Sequence, residues 1–593
     1  MKQTLLACTM LVTVPAWTAT TASDFDPLFD RSANCGATAG RPRVLEALLL
    51  AQAETRPISP SAAQASKAVG PAAEKPPPLW ENLGTLQLRI TSKSSRARRY
   101  FNQGLRLSFA FNHAEAARAF RAAQKLDPDC AMCYWGEALV LGPNINAPMF
   151  PEAQAPAVAA AKRAAQLSSR ASELERALIA AVNQRYSADP NAERAKLDAA
   201  YADAMAAAAR RFPREDTVQV LYAEALMDLQ PWDYWQAGGA TPKGRGAEIV
   251  ATLERTLKRD PRHPGAIHLY IHALEASTRA QRALPYARRL AGFMPGAGHL
   301  VHMPAHIYYR IGMYRESLAA NRAAIAADER YFKESPSDPL YKGAYYTHNI
   351  HFLMVSAQMG GDAKTALEAA AKLDGALPAD FLRLAAVAQP VKAAVYTTHA
   401  QFSDAATILA LPDPGDEFVL VKAMWHYARA LAQIERRDAA AAGREIDALA
   451  ALESGADFKP LADWQVPARE VVQIARHVAR GRLAAASKDL DGAIRAFEEA
   501  VFVEDTIAYM EPPYWYYPVR QSLGAALLRA GRTQEAEKAL RDSLARVPNN
   551  GWALYALRQL YAKTGDTKTT KATVEAFNRA WLGDRARLDL MKL

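Results

Sequence analysis

Gly104-Leu105-Arg106-Leu107-Ser108-Phe109-Ala110-Phe111-Asn112-His113-Ala114-Glu115-Ala116-Ala117-Arg118-Ala119-Phe120 leads through Ala123 to Leu126-Asp127-Pro128. Small residues at Gly104, Ala116 and Ala123 let two helices approach closely. Phe120 fills the space between them, and Pro128 ends the second helix. The same design returns far along the chain as Leu523-Gly524, Ala530-Gly531, Glu535-Ala536, Leu540, Ser543 and Pro548. Between the two, the sequence is alanine-rich and helical in period, broken at short intervals by Asp-Pro, Gly and Asn. Such spacing predicts helical hairpins stacked on one another.

Further copies mark the same register: Ala493, Phe497 and Ala500, and Gly312-Met313-Tyr314 with Ser317 and Ala324. These residues resemble the tetratricopeptide repeat (TPR) family, whose unit is a helix–turn–helix of about 34 residues. The resemblance implies an all-α fold, a right-handed solenoid of stacked TPR-like helical hairpins over most of residues 95–585, in roughly ten units. It also implies a concave groove able to hold a peptide or protein partner. It is specific for fold and says little about function, because such repeats serve many roles.

The 593-residue length exceeds what one compact core organises. With half the residues hydrophobic and 23% charged, collagen-like, wholly disordered and multi-span membrane classes are excluded. The formal charge of +10 invites a nucleic-acid reading. Lys and Arg are interspersed with Asp and Glu along the helices, however, so no nucleic-acid partner is expected.

Met1-Lys2-Gln3, the apolar run Leu5 to Trp17, and Ala22 before Ser23-Asp24 read as a secretory signal peptide over residues 1–22. No later stretch reaches the roughly 18 apolar residues of a spanning helix. Residues 23–80 form a Pro/Ala/Ser-rich linker, and 81–593 the solenoid, with histidine-rich units at about 263–375. A periplasmic or secreted location follows. There Cys130 and Cys133 form a small disulfide or a redox pair. Tyr134 follows where covalent haem attachment needs His, so no haem c is expected.

Three inserts interrupt the period: Leu141–Asn146, Gln230–Trp235 and Glu511–Tyr517. Inserts in a solenoid emerge at one face and often border a binding surface; the alternative is that their aromatics cap exposed ends between repeats.

Eight of the twelve histidines lie between His263 and His351, where a uniform scatter would leave about two. Counted back from the small residues Ala283, Ser317 and Ala366, His268, His302 and His351 occupy position five of their first helices. His272 and His306 occupy position nine, and His299 and His348 position two. The third unit is displaced by 15 residues inserted around Tyr331–Tyr345. Positions two, five and nine share one helix face, the face that lines the groove in the family the chain resembles.

His268/His272 and His302/His306 have the i, i+4 spacing that lets two imidazoles chelate one ion. A site of three or four histidines, or a two-metal site, is expected from His268, His272, His299, His302, His306, His348 and His351. The ion is zinc, copper, iron or nickel, and the lack of a nearby Cys argues against a blue-copper centre. Glu275, three residues beyond His272, is a further ligand or the general base of a metal-dependent enzyme. Glu224 and Asp228 read as a solvated helix face. The alternative function is a scaffold that binds a protein or peptide without metal, with the histidines as groove contacts. A thiol oxidoreductase built on Cys130 and Cys133 trails both. No phosphate-cradling Gly loop, GxSxG elbow or HExxH is present.

Overall fold

A computed structural model describes residues 75–593 except 147, 190, 237, 336 and 337. The expected signal segment, Cys35 and linker residues 23–74 lie outside the described residues. From 75 to 94 the chain is irregular but fastened to the helices. The Trp80 backbone N–H donates to Gln103 Oε1 at 2.9 Å and its indole N–H to Glu334 Oε2 at 2.7 Å.

The helices begin where the repeat reading places them. Ser95–Phe109 and His113–Leu126 form the first hairpin, with the Asn112 side chain capping the second helix by accepting from the Glu115 N–H. Capping by a short polar side chain satisfies an N–H that the helix itself leaves unpaired. The Phe120 ring is gripped between Gly104 and Gly136, where an added Cβ would come within 2.8 and 2.3 Å of it. Cys130 and Cys133 are joined in a disulfide at the start of Ala131–Leu141, with Cys130 as the N-cap. Further antiparallel hairpins follow to Thr567–Ala580; among the described residues no β-strand forms, and an isolated bridge joins Trp235 and Pro242. The molecule is therefore an all-α TPR-like solenoid. No described helix is long and apolar enough to cross a membrane.

The coil returns on itself. Early in the chain, the Phe109 ring packs against Gly265 at the start of the helix Pro264–Glu275. From the far end, the Pro548 carbonyl accepts from the Tyr314 hydroxyl at 2.8 Å, and the Trp552 indole N–H donates to the Gln358 carbonyl at 2.9 Å. The Leu582 N–H donates to the Gly360 carbonyl at 2.8 Å. The histidine units are thus covered from both directions. What the repeat alone suggests as an open concave groove is an enclosed interior at this point.

Candidate metal centre

Six of the expected histidines fall into two groups of three. His268, His272 and His299 form one; His302, His306 and His348 form the other. Within each group one nitrogen per residue lies within 4.8 Å of the others. His268 Nε2 is 3.0 Å from both His272 Nε2 and His299 Nε2. His306 Nε2 is 2.8 Å from His302 Nε2 and 3.4 Å from His348 Nε2. The groups face each other, with ring centroids 5.6 Å apart for His272 and His306 and 6.0 Å for His299 and His302.

The repeat explains the arrangement. Each triad takes positions five and nine of one unit and position two of the next, so the second is the first displaced by one unit. The helix carrying His302 and His306 is interrupted at Met303, because Pro304 has no N–H to continue the ladder. His348 is delivered by Thr347–Gly360, entered through a π-helical turn at Lys342–Tyr346. Such turns recur at functional sites.

Behind the triads stands a set of acceptors. His268 Nδ1 donates to the Phe109 carbonyl at 2.7 Å, and His302 Nδ1 to Asn321 Oδ1 at 2.6 Å. The Asn321 amide is oriented by donating to the Ser317 carbonyl at 2.8 Å. Glu275 receives His272 Nδ1 on Oε1 at 2.8 Å and His306 Nδ1 on Oε2 at 2.6 Å. Glu511 Oε2 lies 3.1 Å from the same His306 nitrogen. Glu275 thus stands behind the imidazoles, bridging the two triads. Both its oxygens are engaged by ring N–H groups, as those of an outer partner are, and with His306 and Glu511 it also makes a third group of candidate ligand atoms within 4.8 Å of one another.

Burial pushes His268, His272, His299, His302 and His348 below the usual imidazole range, which keeps these rings neutral at pH 7. Burial also lowers His306, but Glu275 outweighs it and holds this imidazole up at about 10. Burial alone would raise the Glu275 carboxyl; His306 and then His272 hold it well below the usual range. Glu511 is pushed up to about 8, by burial first.

The tautomers matter most. A carbonyl and a carboxylate can only accept, so His268 and His272 each carry their ring proton on Nδ1. Their Nε2 lone pairs then face each other across 3.0 Å. Nitrogens at that spacing subtend about 95° at an ion with bonds of about 2.0–2.1 Å.

Two aromatics cover the site at a cost in backbone strain. Phe111 (φ 54°) and Trp232 (φ 63°) adopt left-handed backbone, as Gly312, Gly361, Gly531 and Gly565 do in other turns. A bulky residue there is an outlier of the kind that clusters at functional sites. The Phe111 ring centroid lies 4.4 Å from that of His268, and that of Trp232 4.7 Å from that of His272. Trp232, Asn146 and Glu511, one from each insert, line a cavity of about 80 Å³ that touches both triads. The inserts therefore do border the site. Glu511 and Asn321 went unselected in the sequence, although the Glu511 insert carried the signal for one of them.

His351 joins neither triad. It is buried beside Val355, Thr397 and Tyr516 in another cavity, where burial takes its pKa down to about 4. Val355 occupies the position-nine place where a ligand stands in the two preceding units, so the pattern ends there. His263 caps the helix Pro264–Glu275, its Nδ1 accepting from the Ala266 N–H at 3.2 Å. Cys130 and Cys133 are bonded to each other and take no part in the triads. Asp228 is not on a solvated face: it is buried against Arg185 at 2.7 Å, both side chains 4% exposed.

A TPR-like solenoid enclosing two triple-histidine clusters is the class these features define. No protein-family model matches the chain, and no curated protein matches it. Among solved structures, the human IFIT1 dimer with m7Gppp-AAAA is 14% identical, covering 83% of this chain and 90% of that one, with a TM-score of 0.29. Yeast Tom70 is 13% identical over 81% and 91%, with a TM-score of 0.27. The P58(IPK) TPR domain is 13% identical over 80% and 99%, with a TM-score of 0.20.

Proposed function

We propose that this is an exported TPR-like protein that binds two transition-metal ions, one in each histidine triad. The observation that carries the reading is the facing pair of Nε2 lone pairs on His268 and His272. Two neutral imidazoles repel in that pose, and a cation between them turns the repulsion into two coordinate bonds. The outer acceptors on Nδ1 fix the tautomer and orientation that ligation needs. Export is supported by the apolar run after Lys2 and by the disulfide, which persists in an oxidising compartment. A metal-free peptide scaffold fits less well, because five of the six ligands are less than a tenth exposed and a peptide in an open groove would not reach them.

Elemental analysis of the purified protein tests this reading, alongside a His268→Ala/His306→Ala variant that removes one ligand from each triad. Two equivalents of metal are expected in the wild type, with loss of both in the variant. Wild-type protein that stays metal-free after reconstitution with zinc, copper, nickel and iron in turn sinks it.

A further inference from the structure

We propose that the groove between the first helix, Ser95–Phe109, and the segment leading into it binds an extended acidic peptide. It lies outside the histidine site and stands apart from the metal reading. The first argument is charge. From Asn82 to Ala114 the chain carries Arg89, Lys93, Arg96, Arg98, Arg99 and Arg106 and no Asp or Glu, so the interspersion of charges along the helices breaks down here. Four of these, Arg89, Arg98, Arg99 and Arg106, line one groove, with Glu81 as the acid in its wall. Arg98 and Arg106 each donate to a backbone carbonyl, that of Ser92 at 2.6 Å and that of Leu86 at 2.8 Å. A carbonyl fixes a guanidinium without neutralising it. Among the described residues no carboxylate pairs with any of the four. Guanidiniums gathered this way repel one another, and each keeps N–H donors in the planar fork that a carboxylate fits.

The second argument is shape. The Leu88 N–H donates to Asn102 Oδ1 at 2.9 Å, between the two arginine ties, so residues 86–92 run antiparallel to the helix. Leu88 and Ile90 are buried while Gln87, Arg89 and Thr91 are exposed, the alternation of an extended chain. Arg98 and Arg106 are eight residues apart, about 12 Å along the helix axis. The charges are therefore strung along a line that one small anion does not span. Alternate side chains of an extended peptide are about 6.6 Å apart, so carboxylates on its first, third and fifth residues do. The volume of about 640 Å³ falls within the usual range of ligand sites. Gln87 and Arg89, both in the wall, have backbone N–H and C=O groups that no described residue engages. That is a main-chain edge of the kind to which a peptide strand adds.

Other polyanions fit less well. The aromatic residue in the wall, Trp80, is fastened through its indole N–H to Glu334 and packs edge-on against Tyr331. It offers no row of rings on which single-stranded bases could stack. The floor of a groove is also out of reach of a flat bilayer surface.

The test titrates the full-length protein into a fluorescein-labelled hexapeptide of alternating Asp and Leu, read by fluorescence anisotropy. Saturable binding that weakens as salt is raised is expected. Arg89→Gln/Arg99→Gln, at two exposed positions, should weaken it about tenfold or more. Arg89→Lys/Arg99→Lys, which keeps the charge and loses the fork, should weaken it less, and circular dichroism confirms the fold of both. Lys563→Gln/Lys568→Gln removes the same charge at exposed positions far along the chain and should leave binding unchanged. Absence of binding overturns the proposal, as does an equal loss in the two glutamine variants, which would mean attraction to net charge alone. A thymidine decanucleotide or a phosphatidylserine vesicle that binds more tightly than the peptide and is lost in Arg89→Gln/Arg99→Gln overturns it too. None of these outcomes bears on the metal pair.

Discussion

Glu275 grips one imidazole of each triad with one carboxylate, so its replacement reaches both ions. In Glu275→Gln the amide oxygen can accept from only one ring, and the amide N–H₂ meets the N–H of the other. That ring must move its proton to Nε2 and lose its ligating lone pair. Metal affinity should fall about 10–100-fold in at least one triad, read by competitive titration against a chelator. Equal affinity in the variant would mean that this carboxylate does not set the tautomers.

His263 offers a residue-scale pH effect apart from the ligands. It is 1% exposed, and burial lowers its pKa from 6.5 to about 4. Below pH 6.5 the unfolded chain binds a proton there that the folded chain refuses until about 4. Stability from this group is therefore present above 6.5 and lost as pH falls toward 4, by about 2 kcal/mol at pH 5 relative to neutral pH. His263→Asn keeps an acceptor for the Ala266 N–H and removes the titration. Its urea midpoint should fall less between pH 7 and 5 than the wild type's, and a parallel decline would refute the assignment.

At the scale of elements, the hairpin depends on close approach. Phe120 sits against Gly136 with no room for a Cβ, and Phe101 packs on the same ring at 5.6 Å between centroids, so the ring has little freedom to yield. Gly136→Ala should cost about 1–3 kcal/mol by overpacking, measured by chemical denaturation, with the metal content of the folded protein unchanged. Free accommodation of the methyl would show this packing to be looser than drawn. The same regularity made the triads legible. His268/His302 and His272/His306 are one period apart, and helical spacing puts positions two, five and nine on one face. The division into two groups was not legible, because it depends on how far one unit rotates against the next. His351 has the right register and still falls outside both groups.

Across the whole molecule, closure of the coil is what buries the site. Trp581 packs on Gly361 and Gly551 and lies 4.8 Å between centroids from Trp552, joining the final hairpin to the helix Thr347–Gly360 that carries His348. Trp581→Ala should destabilise by about 3–5 kcal/mol. It should also enlarge the particle in small-angle scattering and weaken the triad containing His348. A variant as compact as wild type with undiminished metal binding would show that closure at this end does not support the site.

The sequence by itself determined the repeat, the all-α class and the face on which the histidines lie. These follow from helical periodicity and small-residue spacing, which act within one or two neighbouring units. Only the tertiary structure decided which histidines meet, that Glu275, Glu511 and the Phe109 carbonyl stand beside them, and that Phe111 and Trp232 close over them. Those contacts join residues as much as 205 positions apart. They depend on the summed twist of many stacked hairpins, a quantity no local pattern encodes.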